Sequence, residues 1–395
     1  MQEFGFPTLA LLTAVGFAGP MLAAVPHARI PVIVGELSAG LVIGKTGFNL
    51  VDDTNPTFQL FANIGFALVM FVVGTHVPVH DPALRSQAPR ALARAVAVGA
   101  VAAVLGAGLA AAFGTRHAAL YGVLMASSSA ALALPVIDSL RLKGPQVLSV
   151  TVQIAIADTA CIILLPLVID LRHAPTAALG VLAIAALAVV LFLLLRTVDR
   201  WGWRQRMHDY SEKYRLALEL RTNLLMLFSL AALAVTTHVS IMLAGFALGL
   251  VIALIGEPRR LARQLFGITE GFFSPLFFVW LGCSLQVREL VSHPKFILLG
   301  VGLGLGAVLA HCTGRLLGQP LTLAVLSAAQ LGVPVAAATI GTQEHLLVAG
   351  EASAMMFGAL LTIACTSIAG ALAAGDGAAE AEKPPASDDS TRRGT

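Results

Sequence analysis

The stretch Val150-Thr-Val-Gln-Ile-Ala-Ile-Ala-Asp158-Thr-Ala-Cys-Ile-Ile-Leu-Leu165 is mostly apolar but contains one carboxylate. With its flanks it is long enough to cross a bilayer, which takes about 20 apolar residues in helical form. A carboxylate at membrane depth is costly in free energy and usually marks an ion or proton path. Asp158 is therefore the first candidate functional residue.

The composition of the whole chain points to a membrane protein. Of 395 residues, 57% are hydrophobic and 12% are charged, and the mean hydropathy is +0.85. Soluble domains carry about 25% charged residues, so this chain lacks the polar surface of a soluble protein. The four cysteines fall inside apolar segments without metal-ligand spacing, so they predict packing residues and neither a disulfide frame nor a zinc site.

Apolar segments recur along the chain and predict an all-α polytopic fold of about thirteen transmembrane helices. They centre near residues 8–26, 31–44, 58–77, 90–113, 117–135, 147–170, 176–195, 220–237, 239–255, 265–283, 296–317, 320–341 and 350–374. The second segment is short, which suggests a tilted or broken helix.

The distribution of basic residues predicts the orientation. With thirteen spans and the N-terminus outside, 20 of the 25 Lys and Arg residues lie inside and 5 lie outside. Cytoplasmic loops carry the excess of Lys and Arg in membrane proteins. The sequence therefore predicts an N-out, C-in protein of the cell (inner) membrane.

The polar stretches suggest how the chain is divided. We expect a transmembrane unit over residues 1–374, with no cleaved signal peptide, and a disordered cytoplasmic tail over 375–395 with no soluble domain after it. Residues 196–221 are interpreted as an amphipathic cytoplasmic linker between an N-terminal and a C-terminal bundle. A basic loop that only sets topology is the alternative. Glu344, His345 and Glu351 cluster at an outer loop, where a solvated face is expected.

Two segments carry the marks of interrupted helices. Residues 126–130 read Ala-Ser-Ser-Ser-Ala ahead of Pro135, and residues 329–334 read Ala-Gln-Leu-Gly-Val-Pro. Broken helices at corresponding positions in two halves predict a transporter with inverted repeats. The run of glycines at 300, 302, 304 and 306 resembles a dinucleotide-binding loop only by its letters, because no strand precedes it, and close helix packing is the better interpretation.

Several motifs in order resemble the monovalent cation:proton antiporters of the sodium/hydrogen exchanger superfamily, in their second bacterial branch. The motifs are Arg29-Ile-Pro-Val-Ile-Val-Gly-Glu36-Leu-Ser-Ala-Gly40-Leu-Val-Ile-Gly44, Asn63-Ile-Gly-Phe-Ala-Leu-Val-Met-Phe-Val-Val-Gly74, Ser127-Ser128-Ser129-Ala130 and Ser274-Pro-Leu-Phe-Phe-Val-Trp-Leu-Gly282. The match runs from about residue 8 to 372, without the cytosolic nucleotide-binding domain of many members.

The resemblance implies thirteen helices, a homodimer and a mobile core of two crossed, broken helices, with Asp158 as the ion-binding aspartate. The chain departs from the family pattern at three usually polar positions. Ala157 precedes the aspartate, His311 lies nearest the place of a lysine common in helix eleven, and Val333 follows Gly332 where a glutamate is frequent. These departures bear on ion selectivity and charge stoichiometry.

The chemistry predicted at Asp158 is binding of a proton or a Na⁺ or K⁺ ion, but not both. Burial disfavours the charged carboxylate, so protons and cations compete near neutral pH. Hard cations prefer several oxygen ligands, and the hydroxyls of Ser127, Ser128 and Ser129, with carbonyls freed by the break, can supply them. Small-residue packing is the alternative for the serines.

Four further polar residues are candidates for the same region. Thr151 lies on the helical face of Asp158 and is expected to line the approach. His311 is a possible second titrating group, and His311 and Gln330 are possible compensators of the half-helix dipoles. An interhelical hydrogen bond is the alternative for both. Glu36 either faces the ion funnel or caps backbone.

The sequence thus predicts a secondary transporter that exchanges protons for Na⁺ or K⁺ by alternating access. Its partners are a monovalent cation, the proton and the lipid bilayer; no cofactor and no nucleic acid are expected. The alternatives are a carrier of the same fold for an organic anion with sodium, or an antiporter with altered coupling. An enzyme is disfavoured because no second reactive group accompanies Asp158.

Overall fold

The computed structural model describes residues 4–25, 32–75, 77, 79, 82–169, 174–202, 206, 210–211, 213–214, 216–237, 239–256, 265–285, 288, 294–343, 346–348 and 350–381. Side chains at 82–85, 135, 139, 339 and 374–381 are outside this description. Arg29, Glu344 and His345, singled out above, are also outside it.

The described chain is a set of helices, as expected for apolar segments that must satisfy their own backbone hydrogen bonds in lipid. In chain order they are α1 (Phe6–Gly16), α2 (Ala18–Ala23), α3 (Val32–Ile43), α4 (Pro56–Thr75), α5 (Pro82–Phe113), α6 (Ala118–Ala126), α7 (Ala130–Ser139), α8 (Pro145–Ile169), α9 (Ala174–Arg200), α10 (Leu218–Thr236), α11 (Ile241–Ile255), a π-helical turn (Thr269–Phe273), α12 (Ser274–Ser284), α13 (Pro294–Cys312), a 3₁₀ turn (Thr313–Leu317), α14 (Leu321–Leu326), α15 (Gly332–Gln343) and α16 (Glu351–Ala381).

The all-α membrane fold predicted from the sequence is confirmed. Within the described residues, nine helices are long and apolar enough to cross a membrane, and four shorter apolar helices or helix pairs accompany them. Together they occupy the places of the predicted segments, and α3 is the short second one. The count of thirteen crossings and the N-out, C-in orientation stay predictions.

Proline produces more interruptions than the sequence analysis anticipated. The breaks expected in 126–130 and 329–334 are present, and the second begins earlier than expected, after Leu326. The first segment also breaks at Phe17, ahead of Pro20, and a π-helical turn precedes Pro275. Proline lacks an N–H group and its ring crowds the preceding turn, which disrupts the regular ladder.

The helices form two bundles. The flanking bundle contains α1–α4 and α9–α12, and the crossing bundle contains α5–α8 and α13–α16. The expectation of an N-terminal and a C-terminal bundle is therefore wrong, because each half of the chain contributes to both. Contacts between the bundles run mainly through α8 with α9, α4 with α7 and α8 with α11.

The packing of the flanking bundle shows an inverted repeat. α4 packs on α11, and α3 packs on α12. In the order of the predicted segments, these pairs are the third with the ninth and the second with the tenth. A shift of seven places turns the third segment into the tenth and the second into the ninth. The shift therefore converts each pair into the other. If each predicted segment crosses the membrane once, segments seven places apart run in opposite directions. The packing therefore has the pairing that the predicted inverted repeat requires.

Glycines allow two pairs of helix backbones to pack closely, namely α3 with α12 and α13 with α16. A Cβ at Gly40 of α3 would overlap the carbonyl oxygen of Val279 and lie 3.0 Å from Cα of Gly282 in α12. In the glycine run of α13, a Cβ at Gly300 would lie 2.8 Å from the carbonyl oxygen of Ala354, and one at Gly304 2.8 Å from that of Gly358. Close helix packing therefore explains the run.

Glu351 corrects the expectation of a solvated outer cluster. Its side chain is fully buried at the start of α16. Its Oε1 accepts a hydrogen bond from the Tyr121 hydroxyl at 2.5 Å and lies 2.7 Å from Nδ1 of His117, while Oε2 accepts from the N–H of Val348. The sequence did not predict these contacts of Glu351, because His117 and Tyr121 lie at the start of α6, far from Glu351 along the chain.

The two polar stretches are only partly described. α16 continues to Ala381, beyond the predicted end of the last segment at residue 374, and 382–395 lie outside the described residues. In the proposed linker 196–221, α9 ends at Arg200 and the exposed Trp201 and Tyr210 follow. Its position at the membrane interface stays a prediction.

We expect Gly40→Ala to destabilise the protein by about 1–3 kcal/mol, the usual range for overpacking. The added methyl group meets backbone atoms of α12, which cannot rotate away. The matched control is Gly99→Ala in α5, where a Cβ would have no neighbour within 4 Å and helix propensity favours alanine. Thermal unfolding midpoints in detergent measure both. Equal midpoints for the two variants would contradict the close packing.

The pair His117–Glu351 predicts a pH-dependent contribution to stability. The hydrogen bond to Glu351 raises the pKa of His117 above 6.5, against an opposing effect of burial. Because the pKa is higher in the folded state, the stabilisation is complete below pH 6.5 and is lost as pH rises through the folded pKa. His117→Gln should therefore lower the unfolding midpoint most at pH 5.5 and least at pH 9.

The control for this prediction is Arg116→Gln, which removes a neighbouring exposed charge without touching Glu351. Its effect on the unfolding midpoint should not follow the titration of a histidine. A loss in His117→Gln that is the same at all pH values would show that the histidine only packs.

Candidate ion-binding site

Two broken helices carry the candidate site. Between α6 and α7 the backbone is extended at Ser127 and Ser129, and residues 327–331 separate α14 from α15. A serine side chain makes the same hydrogen bond at each break. Ser127 Oγ donates to the carbonyl of Leu124, and Ser327 Oγ donates to the carbonyl of Ala324, each at 2.7 Å. Serine hydroxyls thus add a donor to carbonyls in the last turn of each ending helix.

The two breaks contact each other at a place called here the crossing, formed by residues 127–130 and 327–331. The N–H of Ser129 donates to the carbonyl of Ala329 at 2.6 Å, and Ser128 Oγ donates to the carbonyl of Ser327 at 2.7 Å. Ser127, Ser128 and Ser129 are all buried. The predicted pair of crossed, broken helices is confirmed.

Gln330 lies at the crossing, where its side chain acts on the partial negative charge at the end of α6. Its side-chain Nε2 donates to the carbonyl of Leu124 at 2.5 Å, at the C-terminal end of α6. That end carries partial negative charge, which an amide N–H partly neutralises. Gln330 is 3% exposed, so its amide acts in a dry environment.

Asp158 of α8 meets the opposite half of the same broken helix. Its Oδ2 accepts a hydrogen bond from the backbone N–H of Ala130 at 2.9 Å, and Ala130 is the first residue of α7. A helix N-terminus has unpaired N–H groups and partial positive charge, which favour a carboxylate. The second carboxylate oxygen has no hydrogen-bond partner among the described residues. A carboxylate oxygen without a donor has the lone pairs to accept a proton or to coordinate a cation.

His311 of α13 reaches the crossing through Ser128. Its Nε2 lies 3.2 Å from Ser128 Oγ, its Nδ1 lies 2.9 Å from the carbonyl oxygen of Ala307, and its side chain is fully buried. In the described part of the chain, no hydrogen bond or ion pair joins His311 to Asp158. Both residues bind the same break, His311 at Ser128 and Asp158 at Ala130.

The hydrogen bonds of His311 depend on its charge. The carbonyl of Ala307 can only accept, so Nδ1 carries a hydrogen. If Ser128 gives its single hydrogen to the carbonyl of Ser327, then Nε2 must also donate, which makes the imidazole cationic. If the imidazole is neutral, Nε2 accepts from Ser128 and the carbonyl of Ser327 loses that donor. The charge of His311 is thus coupled to a hydrogen bond at the crossing.

Thr151 and Glu36 lie apart from the crossing. Thr151 is half-buried, and its hydroxyl donates to the carbonyl of Val147 at 3.0 Å. It precedes Asp158 by two turns, or ~10 Å along α8 at 1.5 Å per residue. Glu36 lines a different cavity, among residues of α1, α2 and the π-helical turn. The predicted roles of both residues stay predictions.

Thr362 is a residue of the site that sequence reasoning missed. Its Oγ1 accepts from the backbone N–H of Gln330 at 3.2 Å and donates to the carbonyl of Ala359 at 2.7 Å. It is fully buried in α16 and holds the second break in place. A single threonine in an apolar helix does not by itself predict a site residue. Thr362 is identified only by its contact with Gln330.

The oxygen atoms around Asp158 suit a weakly bound monovalent ion better than a permanently bound metal ion. Among the described residues, no group of three or more His, Cys, Asp and Glu side chains is placed to hold a metal ion. At the crossing one carboxylate is accompanied by neutral serine hydroxyls and backbone carbonyls. Such oxygens are the ligands that hard cations prefer.

Comparisons with known proteins agree with this geometry. The protein YjbQ of Bacillus subtilis (strain 168) is 27% identical over 397 residues, covering 92% of this chain and 61% of that protein. The glutathione-regulated potassium-efflux system protein KefC of Enterobacter sp. (strain 638) is 29% identical, covering 68% of this chain and 43% of that protein. The chain therefore spans less than two thirds of the length of these relatives.

A solved structure has the same fold. The sodium proton antiporter MjNhaP1 from Methanocaldococcus jannaschii superposes with a TM-score of 0.70 at 17% identity, covering 96% of this chain and 98% of that one. The family model for the transmembrane sodium/hydrogen exchanger matches residues 11–374, which include both broken helices and Asp158. The chain belongs to the sodium/hydrogen exchanger family.

Proposed function

We propose that this protein is a secondary transporter that exchanges protons for a monovalent cation, Na⁺ or K⁺, at Asp158. One observation carries the proposal: a buried carboxylate is held by the N-terminus of a half-helix through one oxygen, and its other oxygen has no hydrogen-bond partner among the described residues. Family membership supports it, as do relatives named for sodium and for potassium. Assembly as a homodimer is part of the same proposal.

A proton and a cation compete for one carboxylate, which explains why one is exchanged for the other. The bond from Ala130 to Oδ2 keeps Asp158 oriented whether it is charged or neutral. A proton on the free oxygen removes the charge that attracts a cation, and a bound cation disfavours the proton. Hydroxyls of Ser127, Ser128 and Ser129 with nearby carbonyls are the proposed additional ligands. Thr151 is the proposed polar group on the approach along α8.

Alternating access requires that Asp158 face one side of the membrane at a time. Asp158, both breaks and His311 all belong to the crossing bundle, so they can move as one body. The flanking bundle touches it through few helix pairs, which favours a sliding or rocking motion between packed surfaces. Such a motion carries the bound ion with the site and leaves the hydrogen bonds of the crossing intact.

We assign to His311 a positioning role for Ser128 that depends on its proton. When the imidazole is cationic, Ser128 donates to the carbonyl of Ser327 and the positive ring lies near the carbonyl end of α14. When it is neutral, the Ser128 hydrogen turns toward Nε2. The direction of that hydroxyl alters which lone pairs are available to a cation at the crossing.

Asp158→Asn tests the function directly. Asparagine keeps the size of the side chain and an oxygen that can accept from Ala130, but it cannot exchange a proton for a cation. Cation-driven proton flux in proteoliposomes should fall to the level of protein-free vesicles. The matched control is Asp138→Asn on α7, whose side chain is exposed, and it should retain flux. Normal exchange in Asp158→Asn would reject this site.

The role of His311 is tested by the pH profile of exchange. His311→Gln should remove one titration from the profile and reduce the rate by about tenfold, equivalent to a hydrogen bond of ~1.4 kcal/mol. Ser128→Ala should have the same effect, and the double variant should be no worse than either single one. Fully additive losses would show that the two residues act separately.

A further inference from the structure

A second cavity lies in the flanking bundle, away from the crossing. It has a volume of about 500 Å³ and is bounded by α1, α2, α3, the π-helical turn and the start of α12. None of the crossing residues lines it. Its walls are mainly apolar, with Leu12, Phe17, Ile33, Phe272 and Leu276 among them.

Glu36 is the unusual residue of this cavity. It is 3% exposed, lines the cavity, and forms no hydrogen bond or ion pair with any described residue. Gly19 makes its position possible, because a Cβ there would lie 2.7 Å from Cγ of Glu36. An unpaired buried charge is costly, so either a proton or a cation must accompany this carboxylate.

The cavity contains further acceptors, and the hydroxyl groups of Thr13 and Ser274 also line it. Glu270 lies in the π-helical turn at the exposed rim. The carbonyls of Gly16 and Gly271, both lining residues, lack their usual helical donors because Pro20 and Pro275 occupy the positions four residues later. Two carboxylates, with backbone carbonyls beside prolines, give the pocket an electronegative lining that suits a donor-rich cation.

The size and the walls of the cavity select the class of cation. A bare metal ion needs several oxygens in a tight shell, whereas a 500 Å³ cavity with apolar walls matches the pockets that hold organic ligands. A primary ammonium group has three N–H donors, enough for a carboxylate and two carbonyls. Phe17, which lines the cavity, is 62% exposed and the neighbouring Met21 is 71% exposed, so an apolar body can reach the cavity along an exposed apolar surface.

We propose that this cavity binds a primary ammonium group carried on an apolar body, with Glu36 as its counter-ion. The site is separate from Asp158, so it does not depend on the proposed exchange activity. Two sources share this chemistry: an aminophospholipid of the surrounding bilayer and a free lipophilic amine.

Octylammonium chloride is the probe, added below its micellar concentration to the purified full-length protein in detergent. Thermal unfolding is followed as a function of probe concentration. Octan-1-ol supplies the same chain without charge, and octyltrimethylammonium chloride supplies charge without N–H donors. The variants are Glu36→Gln, Glu270→Gln and, as a buried carboxylate at the other site, Asp158→Asn.

Octylammonium should raise the unfolding midpoint of the wild type and of Asp158→Asn more than either matched compound does. Glu36→Gln should weaken the apparent affinity about 10- to 100-fold, as expected for a lost charge-assisted hydrogen bond. Glu270→Gln, at the rim, should weaken it less and remains informative if Glu36→Gln does not fold. Equal stabilisation by octan-1-ol, or an unchanged response in Glu36→Gln, overturns the proposal.

Vesicles distinguish the two sources. If phosphatidylethanolamine in phosphatidylcholine vesicles stabilises the wild type but not Glu36→Gln, the natural occupant is a lipid. If only added octylammonium does so, the site serves a free amine. A response lost in Asp158→Asn but kept in Glu36→Gln would place the amine at the crossing and overturn the proposal.

Discussion

The structure depends on one constraint: backbone groups unwound inside a membrane must find hydrogen-bond partners within the protein. The two breaks satisfy this requirement mutually. Ser129 donates its N–H to Ala329, and the side chain of Gln330 donates to Leu124. Because each break needs the other, the two helices must cross at this point, and the helices around them are arranged to support that contact.

The same constraint creates the electrostatic environment of Asp158. Interrupting a helix exposes a positive N-terminal end and a negative C-terminal end within the bilayer. Asp158 accepts from the first N–H of α7, while Gln330 donates to a carbonyl near the end of α6. Among the described residues, the carboxylate is held in place without an ion pair to a basic side chain.

His311 and Glu36 show two ways in which a buried titratable group is accommodated. His311 has a partner for both ring nitrogens, so its charge is linked to the hydrogen bonds of Ser128. Glu36 has none among the described residues and faces a cavity instead. We propose that the first arrangement couples a proton to the crossing, and that the second provides an acceptor for a ligand from outside the chain.

The sequence by itself determined the membrane class, the positions of the segments and the two breaks, and it singled out Asp158 as the candidate ion-binding residue. These follow from hydropathy, from serine, glycine and proline chemistry, and from the cost of a charge in lipid, all of which are local properties. Only the tertiary structure decided that Ala130 binds Asp158, that Thr362 supports Gln330, and that Glu351 is buried against His117. Backbone donors have no sequence signature, and these partners lie 28 to 234 residues apart. The interleaving of the two halves into both bundles is likewise a property of packing, because apolar segments of similar length do not reveal which neighbours they contact.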